Sequence, residues 1–314
     1  MQLIPSTVLI IPAFNDRASC AQLLHAIASL PGARDWRICL VDDGSTTDAL
    51  QLSDLSDLCL SGTILRLTRN VGHQAAIACG VGYVAETWPD ASALIMDADG
   101  EDRPGDIPRL LSTLDRSHFS AVVAERRRRT ENAQFRIFYW IFRRLFRLLS
   151  GHPLQFGNFM ALSGPAVRRL ASMQETWLHV AAALIASRIP CRKLPTDRGH
   201  RYFGNSTMNF ISLAVHGMRA LMVFAEVMLM RVVIACAAIS ATALVLAGVA
   251  AGLKVAGQAS PGWFTSVFGL FVVVVTQTTG IFAAALVLAG VARGLLWNAS
   301  TAYRDLIAAV EATP

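Results

Sequence analysis

"ALIMDADGED", residues 93–102, runs four apolar side chains straight into four carboxylates spread over six positions. The unbroken apolar lead-in Ala93–Met96 suits a strand covered on both faces, as in a parallel sheet. The acids then stand at its carboxyl end, where open α/β sheets bind their ligands. In extended chain Asp97 and Asp99 share a face and Ala98 points away. Two such carboxylates repel, and each has its pKa raised unless a cation lies between them. A hard divalent ion shared with substrate phosphates satisfies that pair. A solvated acidic turn is the other reading, with Gly100, Pro104 and Gly105 close by. An EF-hand loop is excluded, because Gly100 falls at loop position four and Pro108 stands where the bidentate Glu belongs.

The same pattern recurs upstream. "TVLIIPAF" reads as a strand entering a turn, "CAQLLHAIASL" as a helix ending near Pro31 and Gly32, and "RICLVDDGS" as a second apolar strand ending in acids. "TILRLTRNVG", the helix "HQAAIACGVGYVAE" and "ALIMDAD" complete an alternation that implies a parallel, Rossmann-like sheet. With no G-x-G-x-x-G and no P-loop, a dinucleotide or Walker-type site is disfavoured.

The chain has 314 residues, 54% hydrophobic and 16% charged, greasier than an ordinary soluble domain. Its excess is concentrated in two charge-free runs, Val232–Leu253 and about Phe264–Ala292, joined by the turn "GQASPG". Each is long enough to cross a bilayer. Buried core helices are the competing reading. Arg219, Arg231, Arg293 and Arg304 flank the pair while the connecting turn offers only Lys254, which predicts cytoplasmic ends. The six cysteines show neither a C-x-x-C pair nor zinc spacing and are read as reduced thiols. The net charge of +6 is carried by residues 119–150, where eight Arg face Glu125 and Glu131. A helix over 134–150 would place Arg136, Arg143 and Arg147 in one stripe amid aromatic and aliphatic residues. That helix is expected to lie in the membrane interface, or else as a core helix with a salt-bridged face. Nucleic acid is a poor partner for such a patch.

Taken in order, "IPAFND", "VDDGSTTD", "LRLTRNVGHQAAIACG", "DAD" followed by "RPGDIPRLL", "VVAERRRR", "GNFMALS", "RYFGNSTM" and the apolar hairpin resemble family-2, GT-A-fold glycosyltransferases of the polyprenyl-phosphate type. That family includes dolichyl-phosphate mannose synthase and bacterial undecaprenyl-phosphate glucosyltransferases. The resemblance implies that Pro12, Phe14 and Asp16 line a nucleotide pocket and that Val41 and Asp43 contact base and ribose. It implies that Asp97, Ala98 and Asp99 bind the donor diphosphate through Mg²⁺ or Mn²⁺, with Glu101 near the sugar. Arg126, Arg201 and Thr207 would meet the acceptor phosphate. The chain departs from the family at Gly204-Asn205-Ser206-Thr207, where a loop Lys is usual, and at Gly157-Asn158-Phe159-Met160, where Gly-Asp-Phe-Arg is common.

The reaction so implied is inverting transfer of a sugar from a UDP- or GDP-sugar to a membrane polyprenyl phosphate. A lipid phosphate is already ionised near neutral pH and needs no strong base, so His73, His179 and His200 are read as structural. A different glycan or glycolipid acceptor, and a non-catalytic nucleotide-sugar-binding scaffold, are the alternatives; a processive synthase is disfavoured because no Gln-x-x-Arg-Trp occurs. The expected organisation is a cytoplasmic catalytic domain over 1–209, a juxtamembrane amphipathic helix over 210–231, two transmembrane helices within 232–292 and a cytoplasmic tail over 293–314. The chain would sit in the inner or plasma membrane if bacterial, and a homo-oligomeric state is left open.

Overall fold

A computed structural model describes residues 6–116, 118–126, 144–153, 156–203, 210–258, 260, 262–294 and 298–314. The chain divides into two units. One comprises Met1–Arg147, His152–Val223 and Trp297–Pro314, the other Leu148–Gly151 and Phe224–Leu296.

The first unit is built on an eight-stranded mixed sheet. Its strands are β1 (Thr7–Ala13), β2 (Trp36–Asp42), β3 (Ser61–Leu67), β4 (Ser92–Ile95), β5 (Ala121–Arg126), β6 (Met160–Leu162), β7 (Cys191–Thr196) and β8 (Ile307–Ala312), in the order β7-β5-β6-β4-β1-β2-β3-β8. The four strands read from unbroken apolar runs form the parallel block β4-β1-β2-β3. Strand β6 enters antiparallel to both β4 and β5. Alternate side chains supply two cores. Val8 and Ile10 of β1 with Ala93 and Ile95 of β4 go to one; Leu9 and Ile11 with Leu94 and Met96 go to the other. Burial on both faces is why these segments show no polar alternation.

Helices α1 (Arg17–Ala28), α2 (Ser53–Ser56), α3 (His73–Thr87), α4 (Ile107–Asp115), α5 (Gly164–Ala171), α6 (Glu175–Leu178), α7 (Val180–Ala186) and α8 (Phe210–Met222) belong to this unit. Helix α3 lies hard against the sheet. A Cβ on Gly80 would stand 2.5 Å from Ile10 Cγ2 and 3.0 Å from Val41 Cγ2, so the missing side chain sets the approach.

The second unit holds α9 (Ala225–Val255) and α10 (Trp263–Gly294). Both are long and apolar enough to cross a membrane, and only 11% of each apolar window is buried. Leu244, Val245, Leu270 and Val287 are exposed along them, where a helix of the core would hide such side chains.

Two expectations are corrected. The segment 210–231 is not one helix: α8 stops at Met222, the chain leaves helical geometry at Phe224 (φ −108°, ψ 24°), and α9 starts at Ala225. The segment 293–314 is not a simple tail, since its last residues form β8, paired antiparallel with β3. Of the proposed interface helix, 134–143 lie outside the described residues; 144–150 are helical, with Phe146 buried and Arg144, Arg147 and Leu148 exposed.

Candidate active site

Because β4, β1 and β2 are parallel neighbours, the acids after β4, the Phe14–Asp16 turn after β1 and the Asp42–Asp43 pair at the end of β2 meet at one edge of the sheet. The "DADGED" stretch does not stay extended. Strand β4 ends at Ile95 and the chain turns at Ala98 and Asp99, so a turn, rather than strand alternation, places the two aspartates. That turn is held from within: the Asp97 N–H donates to the buried Asp102 carboxylate at 3.1 Å, and the Glu101 N–H donates to Asp99 Oδ1 at 2.9 Å. Gly100 has φ +86°, and a Cβ there would lie 2.7 Å from the Tyr202 ring.

The loop after β7 closes over these acids. The Gly199 and Tyr202 N–H groups donate to the Glu101 and Asp99 carbonyls. Arg201 Nη2 contacts Asp99 Oδ2 at 2.7 Å and Glu101 Oε1 at 3.5 Å, while Arg198 Nη2 contacts Glu101 Oε1 at 2.6 Å. Burial raises the Asp99 pKa; the Glu101 amide and Arg201 oppose the rise, and the charges of Asp97 and Glu101 add to it. A carboxylate pair in this condition, offering only hard oxygen donors, fits a Mg²⁺ or Mn²⁺ ion. Among the described residues no group of three or more His, Cys, Asp or Glu surrounds one point. An ion held by Asp97 and Asp99 would therefore complete its shell from phosphate oxygens and water.

Helix α3 brings His73, expected to be structural, to these acids. Its Nε2 lies 3.1 Å from Asp97 Oδ1 and 3.1 Å from Asn158 Nδ2. Burial of the imidazole works against its protonation, but Asp97, Asp102 and Asp99 outweigh it and its pKa is raised. Asn158, which departs from the family's usual Asp, also accepts from the buried Gln74 amide at 3.2 Å, and Gln74 Oε1 accepts the Val180 N–H at 2.8 Å. The signal for His73 was its place at the start of a helix that follows a strand ending on the site edge. His179 is structural as read. It caps α7 by accepting the Ala182 N–H at Nδ1, so its Nε2 donates to His216 Nε2 at 3.1 Å, and burial followed by His216 lowers its pKa to about 3.

Of the residues expected to line a nucleotide pocket, Phe14 is exposed and Asp16 half-buried just past β1, whereas Pro12 is buried within β1. The Val41 side chain is wholly buried under α3. Asp43 is committed to the chain itself: its two carboxylate oxygens accept the Val71 and Gly72 N–H groups at 2.7 and 3.0 Å. Burial raises its pKa, against those hydrogen bonds. Asp42, its neighbour, organises the loop instead. Its Oδ1 accepts the Ser45 N–H at 2.9 Å, Ser45 Oγ accepts the Asn15 N–H at 2.9 Å, and Asn15 Oδ1 accepts the Thr46 N–H at 2.9 Å. Arg126 ends β5 opposite Thr196. Thr207 lies outside the described residues.

Comparison with known proteins agrees with the fold. Undecaprenyl-phosphate 4-deoxy-4-formamido-L-arabinose transferase of Salmonella choleraesuis is 27% identical over 214 residues, covering 65% of this chain. The chain spans just under two thirds of that relative, 63% of its length. Glucosyl-3-phosphoglycerate synthase from Mycobacterium tuberculosis, solved with Mn²⁺, UDP-glucose and phosphoglyceric acid, superposes with a TM-score of 0.53 at 17% identity, over 71% of this chain and 80% of that one. The same enzyme solved with Mg²⁺ and UDP gives 0.52 at 16% identity, over 71% and 79%. This likeness carries the fold. Residues 8–177, more than half of the chain, match glycosyl transferase family 2, and the chain belongs to that family.

Proposed function

We propose that the protein transfers a sugar, with inversion, from a UDP- or GDP-sugar to a membrane polyprenyl phosphate. The observation that carries the reading is the Asp97/Asp99 pair at the carboxyl end of β4 with Arg201 brought onto it from the loop after β7. The undecaprenyl-phosphate specificity in the name of the Salmonella relative and the two long exposed apolar helices support a lipid acceptor. Connectivity supports the topology. Strand β3, before the apolar helices, and β8, after them, pair in one sheet, so any membrane the helices cross is crossed an even number of times. The basic flanks then put the catalytic unit, its juxtamembrane segments and both ends on the cytoplasmic side.

The lipid phosphate oxygen attacks the anomeric carbon, and the bond from that carbon to the donor diphosphate breaks with its electron pair leaving on the nucleotide. The attacking phosphate carries its charge already, so no residue need take a proton from it. Asp97 and Asp99 would hold Mg²⁺ or Mn²⁺, whose chemistry is neutralisation of the departing diphosphate. Arg201, released from Asp99 and Glu101, supplies a guanidinium matched to phosphate oxygens, and Arg126 and Thr207 are assigned to the acceptor phosphate with it. Phe14, Asp16 and Ala98 are assigned to the nucleotide pocket, Pro12 and Val41 support it from beneath as buried strand residues, and Asp43 acts through the Val71–Gly72 backbone. Glu101 sets the rest position of Arg201 and Arg198.

Purified full-length protein, incubated with radiolabelled UDP- and GDP-sugars, undecaprenyl phosphate and Mn²⁺ or Mg²⁺, should move label into the organic phase. Donor hydrolysis without any lipid-borne label, across the donor panel, would refute the acceptor.

A further inference from the structure

The C-terminal strand reaches the nucleotide loop through one side chain. Arg66 of β3 is held by three groups. Its Nη1 donates to Asp42 Oδ2 at 3.0 Å, and its Nη2 donates to the Leu50 carbonyl at 2.8 Å and to Glu311 Oε2 at 3.0 Å. Its Nε donates to the other Glu311 oxygen. Glu311 lies on β8, paired with Ile64, two register positions from the Arg66–Ala309 pair and so on the same face, and its carboxylate takes the guanidinium bidentately from the diagonal position. The chain of contacts then runs on without a gap, from Asp42 to Ser45, from Ser45 to Asn15, and from Asn15 to the amides of Thr46 and Thr47.

The buried end of this chain is where the energy lies. The Asp42 side chain is 4% exposed, against 27% for Arg66 and 34% for Glu311. A buried carboxylate needs a fixed cation, and an arginine with many rotamers is fixed only when its fork is occupied. As an exposed ion pair Glu311–Arg66 would add little stability; its consequence is the orientation it imposes on the guanidinium facing Asp42.

We infer that Glu311 is a positioning residue for the nucleotide-sugar site, acting through Arg66 and Asp42 on the turns after β1 and β2. The segment that follows the two apolar helices thereby completes the donor pocket of a domain whose other strands all precede them. This rests on the donor reading above, and deepens it by naming what holds the pocket in shape.

The test uses full-length protein with UDP and GDP as probes in the presence of Mn²⁺, comparing Glu311→Ala, Glu311→Gln and the control Glu86→Ala. Glu86 anchors the same C-terminal segment through Tyr303 and Arg304 without touching Arg66. Glu311→Ala should weaken binding of the nucleotide that wild type prefers by about threefold to thirtyfold and speed hydrogen exchange at the Ser45–Thr47 amides. Glu311→Gln, which keeps an acceptor, should recover part of both, and Glu86→Ala should change neither. Wild-type nucleotide affinity in Glu311→Ala, or an equal loss in Glu86→Ala, overturns the positioning role and leaves the donor reading standing. If wild type binds neither nucleotide, the donor reading falls, and this inference with it.

Discussion

Gly44→Ala tests the geometry of the nucleotide loop against a built-in reference. Gly44 has φ +71°, and a Cβ there would stand 2.6 Å from the Arg69 carbonyl carbon, 2.7 Å from Asn70 N and 2.9 Å from Arg69 Cα. All three are backbone atoms, and that backbone is tied down by the Val71 and Gly72 N–H groups on Asp43. Gly32 has a similar φ of +79°, but its nearest neighbour would be Asp35 Oδ2 at 3.8 Å. Left-handed strain in a non-glycine residue costs about 1–2 kcal/mol at either position, and the change in unfolded-chain entropy is the same for both. Only Gly44→Ala adds overpacking, about 1–3 kcal/mol. Urea unfolding of the full chain in detergent should therefore show a loss of about 1–2 kcal/mol for Gly32→Ala and about 2–5 kcal/mol for Gly44→Ala. Gly44→Ala should also weaken UDP or GDP binding, because the 69–72 segment must move off Asp43. Equal losses for the two variants, with nucleotide affinity intact, would refute the placement of residues 69–72 against this loop.

Gly82→Ala should loosen the C-terminal segment. Its Cβ would fall 2.6 Å from Tyr303 Cδ1, and the Tyr303 hydroxyl is held by Glu86, so overpacking of about 1–3 kcal/mol opposes a helix-propensity gain of about 1 kcal/mol. Limited proteolysis within 298–314 should speed up, whereas Gly248→Ala, with no atom within 4 Å of its Cβ, should leave the cleavage rate unchanged. Acid should loosen the same segment. Arg304 and then Tyr303 hold the Glu86 pKa down, and Arg66 holds that of Glu311 down. Their stabilisation is thus complete above the ordinary carboxylate value of about 4.3 and is lost as pH falls through the lowered values. Hydrogen exchange across β3–β8, corrected for intrinsic rate, should rise below about pH 4 before that of β1–β2; simultaneous loss would contradict it. Arg201→Gln removes the cation shared by Asp99 and Glu101, and should tighten Mn²⁺ binding in the absence of nucleotide by roughly tenfold while slowing transfer. Unchanged Mn²⁺ affinity would show that Arg201 and the ion do not compete for Asp99.

The parts of this protein legible in its sequence are those where burial leaves a pattern. Strands β1 to β4 announce themselves because both faces are covered, and the apolar helices because lipid-length runs carry no charge. Strand β8 leaves no such mark. It is a sheet edge with Val310 exposed, and its ion-pair partner Arg66 lies 245 residues away. The carboxylates were visible but their duties were not. Composition distinguishes neither Asp43, spent on two backbone amides, nor Asp102, spent on the Asp97 amide, from the Asp97/Asp99 pair proposed to hold the ion. The break at Phe224 involves no Gly or Pro and had no local signal. The approach of His73 to Asp97 left no motif, because it depends on how closely α3 packs on the sheet.

The most direct test of the central claim is mass spectrometry of the lipid recovered after incubating full-length protein with undecaprenyl phosphate, Mn²⁺ and a panel of UDP- and GDP-sugars, beside an Asp99→Asn control. Wild type should form one new species, the lipid phosphate plus a single sugar in phosphodiester linkage, and the variant should not. An unmodified lipid with every donor, or the same product from Asp99→Asn at the wild-type rate, would contradict it.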